Sequence, residues 1–178
     1  TTRPMKGTRR GDADPAELLA SSKDQAELNM IVDLMRNDLG RICEFGSVRV
    51  EAARELERHG GAASQRVSET ASQGGILQTT ATVSGVVRGG VSAAEILAAT
   101  FPGGSVTGAP KIRAMQIIDE LEPVRRGPYC GAFGFLADSG RMNLNIAIRT
   151  ALVTGSTLDY SVGAGIVADS DPEAEWEE

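Results

Sequence analysis

One histidine, His59, stands in a chain of 178 residues. Zinc sites built from several histidines therefore have no ligand set, and a Ser-His-Asp triad has almost nothing to draw on. Cysteine is nearly as scarce. Cys43 and Cys130 lie far apart, each in apolar surroundings, and read as buried free thiols rather than a disulfide or a metal pair. No apolar run reaches the roughly 18–20 residues that cross a bilayer, and no charged, apolar, small-residue leader opens the sequence. The expectation is a cytoplasmic protein with no membrane partner. An excess of positive charge is missing too: 18 Lys and Arg stand against 24 Asp and Glu, a net charge of −6. That argues against a nucleic-acid partner, because phosphate binding relies on clustered Lys and Arg. It leaves room for a small anionic substrate, which a few placed cations hold.

What is present is ordinary globular material, 41% hydrophobic and 24% charged, enough for one domain with a real core. The opening stretch TTRPMKGTRRGD is basic and rich in turn formers, hence an extended segment or loop. Asp14-Pro15 starts a short helix, with Asp14 as cap and Pro15 at the first helical position. A longer helix runs from Ser22 to about Leu39, with Ser22 as candidate cap and Ala26, Met30, Val32, Leu34 and Leu39 spread over more than one side. A short strand, RVEA, follows GSV. Residues 57–75, rich in glycine and serine and without an apolar period, read as a mobile surface loop. Ile76 to Val87 is a β-branched strand and Ser92 to Phe101 a short helix. After the turn PGGSVTGAP comes a helix over KIRAMQIIDELE. Three strands, Tyr129–Ala137, Met142–Val153 and Leu158–Val167, close the chain as antiparallel hairpins. The pattern predicts an α+β fold, antiparallel β-sheets layered with helices. The opening Thr1-Thr2 without a methionine and the Glu177-Glu178 ending inside a helical stretch suggest a domain, 1–178, cut short at both ends.

Five features carry possible chemistry. Asp24-x-x-Glu27 and Glu175-x-x-Glu178 repeat one spacing, and residues three apart share a helix face. Two such faces form either a solvated acidic surface or, with a cation between them, an oxygen-ligand site of the kind Mg²⁺ takes. The turn Pro102–Pro110 leads into a helix. Its glycines and free N–H groups suit either a bound anion or a tight inter-helix loop, and the Gly-Lys-Ser/Thr ending of a P-loop is absent. Arg149 interrupts the apolar run Leu144–Ile148 and needs an anionic partner there, a substrate carboxylate or a structural Asp. Gly163-Ala164-Gly165 allows a close backbone approach to a ligand, or only a bulge. Lys6, in Pro4-Met5-Lys6-Gly7, is either a solvated charge or an amine nucleophile held in a stiff turn.

Taken together and in order, the stretches PMKGTRRG, KDQAELNMIVDLMRNDLGRICEFGSVRV, FPGGSVTGAPKIRAMQIIDELE, RGPYCGAFGF, MNLNIAIRTA and GAGIVADSDPEAEWEE resemble the chorismate-utilising enzymes. That family includes anthranilate, aminodeoxychorismate, isochorismate and salicylate synthases. The resemblance covers most of residues 3–178, apart from the 51–75 region. It implies the C-terminal part of the chorismate-binding, anthranilate synthase-like fold. It also implies Mg²⁺ as cofactor, with Glu27 and Glu178 as direct ligands and Asp24 and Glu175 beside them. Arg149 and Tyr129 correspond to contacts with the enolpyruvyl carboxylate, and Ser105, Gly108, Gly163 and Gly165 complete the pocket. Ammonia would come from a glutamine amidotransferase, as a separate subunit or a fused domain.

Within the family, Lys6 points to the aminodeoxychorismate branch, whose members carry Pro-Ile-Lys-Gly-Thr where anthranilate synthases read Pro-Ile-Ala-Gly-Thr. The resemblance then implies attack of Lys6 on C2 of chorismate, followed by displacement of the lysine by ammonia to give 4-amino-4-deoxychorismate for p-aminobenzoate and folate synthesis. Anthranilate synthase component I and a chorismate-binding protein without turnover are the alternatives. One departure bears on the choice: Gln78 stands where the family has a histidine associated with pyruvate elimination. That weighs against anthranilate formation. As cut, the chain lacks segments that full-length relatives supply, and these residues alone are expected to be inactive.

Overall fold

The computed structural model describes residues 1–59, 75–167 and 170–177. They group into two compact units, Thr1–Ala99 and Thr100–Glu178, each with its own architecture.

The first unit is built around one strand. β1 (Met5–Arg10), α1 (Pro15–Ala20), α2 (Ser22–Gly40), β2 (Arg49–His59), β3 (Ile76–Ser84) and α3 (Ala93–Thr100) follow in chain order. β3 lies between β1 and β2, antiparallel to both, and its β-branched run is buried over Leu77–Ala81. Helix α2 supplies Leu28, Val32 and Leu39 to a core shared with Ala81 and Val83 of β3, Ile42, Cys43 and Ala99. Each such side chain contributes about 1.5–3 kcal/mol when fully buried.

Local chemistry sets the helix ends. Asp14 Oδ1 accepts from the Ala16 amide at 2.9 Å and Pro15 opens α1, as expected for an aspartate cap before proline. At the other end Arg54 of β2 donates to the carbonyls of Leu18 and Leu19 at 2.8 and 3.0 Å, satisfying acceptors that the short helix leaves open. The cap of α2 is Ser21 rather than Ser22: its Oγ accepts from the Asp24 amide at 3.2 Å.

The opening segment, expected to be extended or a loop, is extended, as the strand β1. Two expectations change. Residues 57–59 belong to β2, with Glu57, Arg58 and His59 opposite Gln78, Leu77 and Ile76, so the loop expected from residue 57 starts no earlier than 60; residues 60–74 lie outside the described ones. β3 ends at Ser84 rather than Val87.

In the second unit, a 3-10 turn (Gly104–Val106) precedes α4 (Lys111–Leu121), with Pro110 as its N-cap. Four strands follow: β4 (Ala132–Leu136), β5 (Met142–Ile146), β6 (Ala151–Thr154) and β7 (Thr157–Tyr160), paired β4–β5 and β6–β7 as separate antiparallel hairpins. The helix α5 spans Pro172–Glu177.

The expected three-strand meander is therefore two hairpins, and hydrogen bonds explain the breaks. Tyr129 N donates to Arg126 O and Gly131 N to Pro128 O, so 127–130 is a turn and β4 starts late. Past β5 the backbone pairs with that turn instead, through Cys130 N to Ala147 O and Ala147 N to Gly131 O. Arg149 then sits at φ 52, outside any strand. The last expected strand stops at Tyr160, and residues 161–167 form no regular element. Both cysteines are free and buried, as expected. No helix among the described residues is long and apolar enough to cross a membrane.

Candidate active site

Lys6 owes its position to the glycine that follows it. Lys6 pairs with Thr79 and Thr8 with Gln78, so Gly7 is one extra residue on β1. It takes φ 76, a conformation that costs a glycine little. In an unbroken strand residues 6 and 8 would share a face. The bulge separates them. Lys6 lies with Thr79, on the face where Ala81 and Val83 meet α2, and Thr8 lies with Gln78 on the other.

On the α2 side Lys6 Nζ is 2.5 Å from Glu27 Oε2, and Thr79 Oγ1 donates to the Lys6 carbonyl. Asp24, one turn before Glu27, has Arg9 Nη2 at 3.6 Å from Oδ2. A Cβ on Gly7 would stand only 2.9 Å from Asp24 Cγ and 2.8 Å from Leu18 Cδ1. The glycine thus leaves the space that the carboxylate occupies. Asp24 and Glu27 are 9% and 4% exposed, and desolvating two carboxylates one helical turn apart requires positive charge beside them. Lys6 and Arg9 supply it. One oxygen, Glu27 Oε1, is buried and receives no hydrogen bond. An unsatisfied anionic oxygen beside a second carboxylate is the donor chemistry a hard divalent cation prefers, so these two residues fit Mg²⁺. Among the described residues no group of three or more metal-type ligands gathers. Glu178, expected to be a further ligand, lies outside them.

Gln78 is buried on the opposite face, where its Nε2 donates to Thr8 Oγ1 at 3.0 Å. Gln78, expected from the resemblance to replace a family histidine, is thereby tied to β1, away from the Lys6 amine.

The other candidates lie in the second unit. Ser105 is exposed in the 3-10 turn, and Gly108 ends that turn at φ 124. Tyr129 is half-buried in the 127–130 turn, and a Cβ on Gly163 would come within 3.1 Å of its hydroxyl. Those two residues are therefore neighbours. Gly165 lies in the irregular 161–167 segment. Glu175 of α5 accepts from Ser170 Oγ at 2.6 Å. The premise about Arg149 is corrected: it is exposed, off the strand, and makes no ion pair or hydrogen bond among the described residues. Its left-handed backbone turns it out of the apolar run that suggested burial.

Three contributors went unnoticed at the sequence level. Arg9 and Thr79 become visible only through the bulged register of β1. Arg126 was legible as a Glu122–Arg126 pair at a spacing of four just past a helix end, where both groups are used. Its guanidinium holds the Glu122 carboxyl below the usual carboxylate range. Burial, and then Cys130, pushes the Tyr129 hydroxyl above its ordinary value, and burial does the same to the Cys130 thiol.

An α+β chain that sets a buried acidic pair against an amine has the makings of a small-molecule enzyme site. The chain belongs to the family described as chorismate binding enzyme, whose profile matches residues 1–178, and its antiparallel sheets and helices are those of that fold. It is 45% identical to anthranilate synthase component 1 of Aquifex aeolicus over 184 residues, covering 99% of this chain and 34% of the relative. To the same component of Pseudomonas aeruginosa it is 45% identical over 185 residues, covering 100% of this chain and 35% of the relative. The crystal structure of anthranilate synthase component I from Streptococcus pneumoniae superposes with a TM-score of 0.73 at 38% identity, covering 99% of this chain and 37% of that one. The chain thus spans about a third of the length of the curated relatives it matches.

Proposed function

We propose that this chain is part of a synthase that aminates chorismate, with ammonia supplied by a glutamine amidotransferase partner and Mg²⁺ as cofactor. The reading with most support is anthranilate synthase component I, and the observation that carries it is 45% identity, over essentially the whole chain, to two proteins of that name. From the family resemblance it takes Glu27 and Asp24 as Mg²⁺ ligands with Glu175 and Glu178 as further acidic ligands, Arg149 and Tyr129 for the enolpyruvyl carboxylate, and Ser105, Gly108, Gly163 and Gly165 as pocket wall. The ion, when bound, neutralises the acids and polarises the ring carboxylate of chorismate. The protein's own groups orient the ring.

A second reading, 4-amino-4-deoxychorismate synthase, is favoured by one specific observation. A primary amine, Lys6 Nζ, stands 2.5 Å from the candidate metal ligand Glu27. As a free amine it can attack C2 of chorismate while both ring double bonds shift by one bond and the C4 hydroxyl leaves as water. Ammonia then adds at C4 and the lysine departs from C2, which splits one difficult displacement into two. Gln78, whose amide does not relay a proton, fits an enzyme that retains the pyruvyl group.

The test incubates the full-length protein with chorismate, Mg²⁺ and ammonia. Fluorescent anthranilate formed without added lyase is the expected result of the first reading. p-Aminobenzoate formed only on addition of a lyase, with a mass adduct on Lys6 that Lys6→Ala abolishes, is that of the second. An absence of both products overturns the amination proposal.

A further inference from the structure

Arg126 reaches three segments of the second unit. Its Nη2 and Nε form a fork on the Glu122 carboxylate at 2.6 and 2.9 Å, just past the end of α4. Its Nη1 donates to the carbonyl of Val106 at 2.7 Å, in the turn that carries Ser105 and Gly108. Its own carbonyl accepts from the Tyr129 amide at 3.1 Å, closing the turn that presents the phenol beside Gly163. A planar guanidinium with all three nitrogens engaged leaves little rotational freedom. Cys130, at φ 62, follows directly, an uncommon backbone state that persists where surrounding contacts enforce it. A plain helix-capping arginine would bond the last carbonyls of its own helix. Here the third bond goes to a different turn.

We propose that Arg126 is a positioning residue: by locking the 103–108 turn to the 127–130 turn it fixes the Tyr129 hydroxyl at the distance from the Ser105 turn that chorismate binding requires. The inference rests on the assignment of Tyr129 as a substrate contact. A phenol is a neutral donor at ordinary pH and burial pushes the Tyr129 hydroxyl further up, so what Arg126 contributes is placement, not charge. The forked bond to Glu122 lets Arg126 do this without a mobile side chain. Lysine, a point charge on a flexible stem, reproduces only part of it.

The experiment is a double-mutant cycle in the full-length protein, with circular dichroism to verify that each variant is folded. Arg126→Gln is expected to raise the chorismate KM about tenfold, the worth of one charge-assisted contact, with kcat and the ammonia KM within about twofold. Tyr129→Phe gives a similar rise. The two combined raise KM little beyond Tyr129→Phe alone, because Arg126 acts through the phenol. Arg126→Lys falls between wild type and Arg126→Gln. Should Arg126→Gln fail to fold, Glu122→Gln, which keeps shape and removes one charge, is expected to give the same non-multiplicative pattern at smaller size. A combined effect near one hundredfold, or a fall in kcat at unchanged KM, overturns the proposal. If Tyr129→Phe alone leaves KM unchanged, the Tyr129 assignment fails. If Tyr129→Phe raises KM while Arg126→Gln or Glu122→Gln does not, only the role of Arg126 fails.

Discussion

At the scale of single residues, Gly7 bears more of the site than its size suggests. Its positive φ and the missing Cβ together set Lys6 facing Glu27 and leave space for Asp24. In Gly7→Ala the left-handed backbone alone costs about 1–2 kcal/mol, and forcing a methyl against Leu18 and Asp24 adds about 1–3 kcal/mol. The expected loss of stability is thus roughly 2–5 kcal/mol, read from the urea midpoint of the full-length protein. A loss under about 0.5 kcal/mol, the usual scatter of surface substitutions, would mean that residue 7 is not bulged. The sequence showed a glycine beside a lysine but not its effect, because a bulge exists only relative to the partner strand. Arg149 illustrates the opposite error. Its apolar neighbours read as a buried strand, yet Ala147 pairs with the Cys130 turn and the backbone takes φ 52 at Arg149, two residues on. That pairing joins Ala147 to Cys130 and Gly131, a separation beyond the reach of local periodicity.

At the scale of elements, α2 is the part on which the candidate site depends, since it carries Asp24 and Glu27 on one buried face. Its start was legible to within one residue. Two adjacent serines compete for the cap, and the structure assigns it to Ser21, whose extended backbone and Oγ bond to Asp24 N leave Ser22 inside the first turn. Ser21→Ala is therefore expected to cost about 1 kcal/mol and Ser22→Ala close to nothing, in parallel thermal melts. Equal losses would count against this assignment. Helices were read well because each carries its own period: α2, α3 and α4 lie near their expected bounds, and β3 starts where expected but ends at Ser84. The last third was read less well. β-branched residues continue across the 147–150 break, so composition shows strand where hydrogen bonding stops it. The spacing of Asp24 and Glu27 announced an acidic face, but whether solvent or an amine lay opposite depended on β1, which the turn-rich composition left open between an extended segment and a loop.

At the scale of the whole molecule, the second unit leaves apolar side chains open on both sides of its hairpins. Phe133, Phe135 and Leu136 of β4 are all more than half exposed, as are Val153, Leu158 and Tyr160 of β6 and β7, and Trp176 of α5 is 85% exposed. An isolated two-stranded hairpin is marginal in water, and strands apolar on both faces are those that proteins bury on both sides. Exposure on this scale marks surface that other protein covers. The chain spans about a third of its curated relatives, and the expected cover for these faces is polypeptide beyond the 178 residues. Prepared as these 178 residues, the protein is expected to enhance 8-anilinonaphthalene-1-sulfonate fluorescence strongly, to sediment as associated species, and to show no turnover of chorismate. A polypeptide of the relatives' full length should lose the dye signal. The decisive comparison replaces Leu136, Val153 and Leu158 with Ser in the 178-residue form. A clear fall in dye binding and association ties both to the hairpin faces, whereas an unchanged signal would place the sticky surface elsewhere and remove the reason for expecting these strands to be covered.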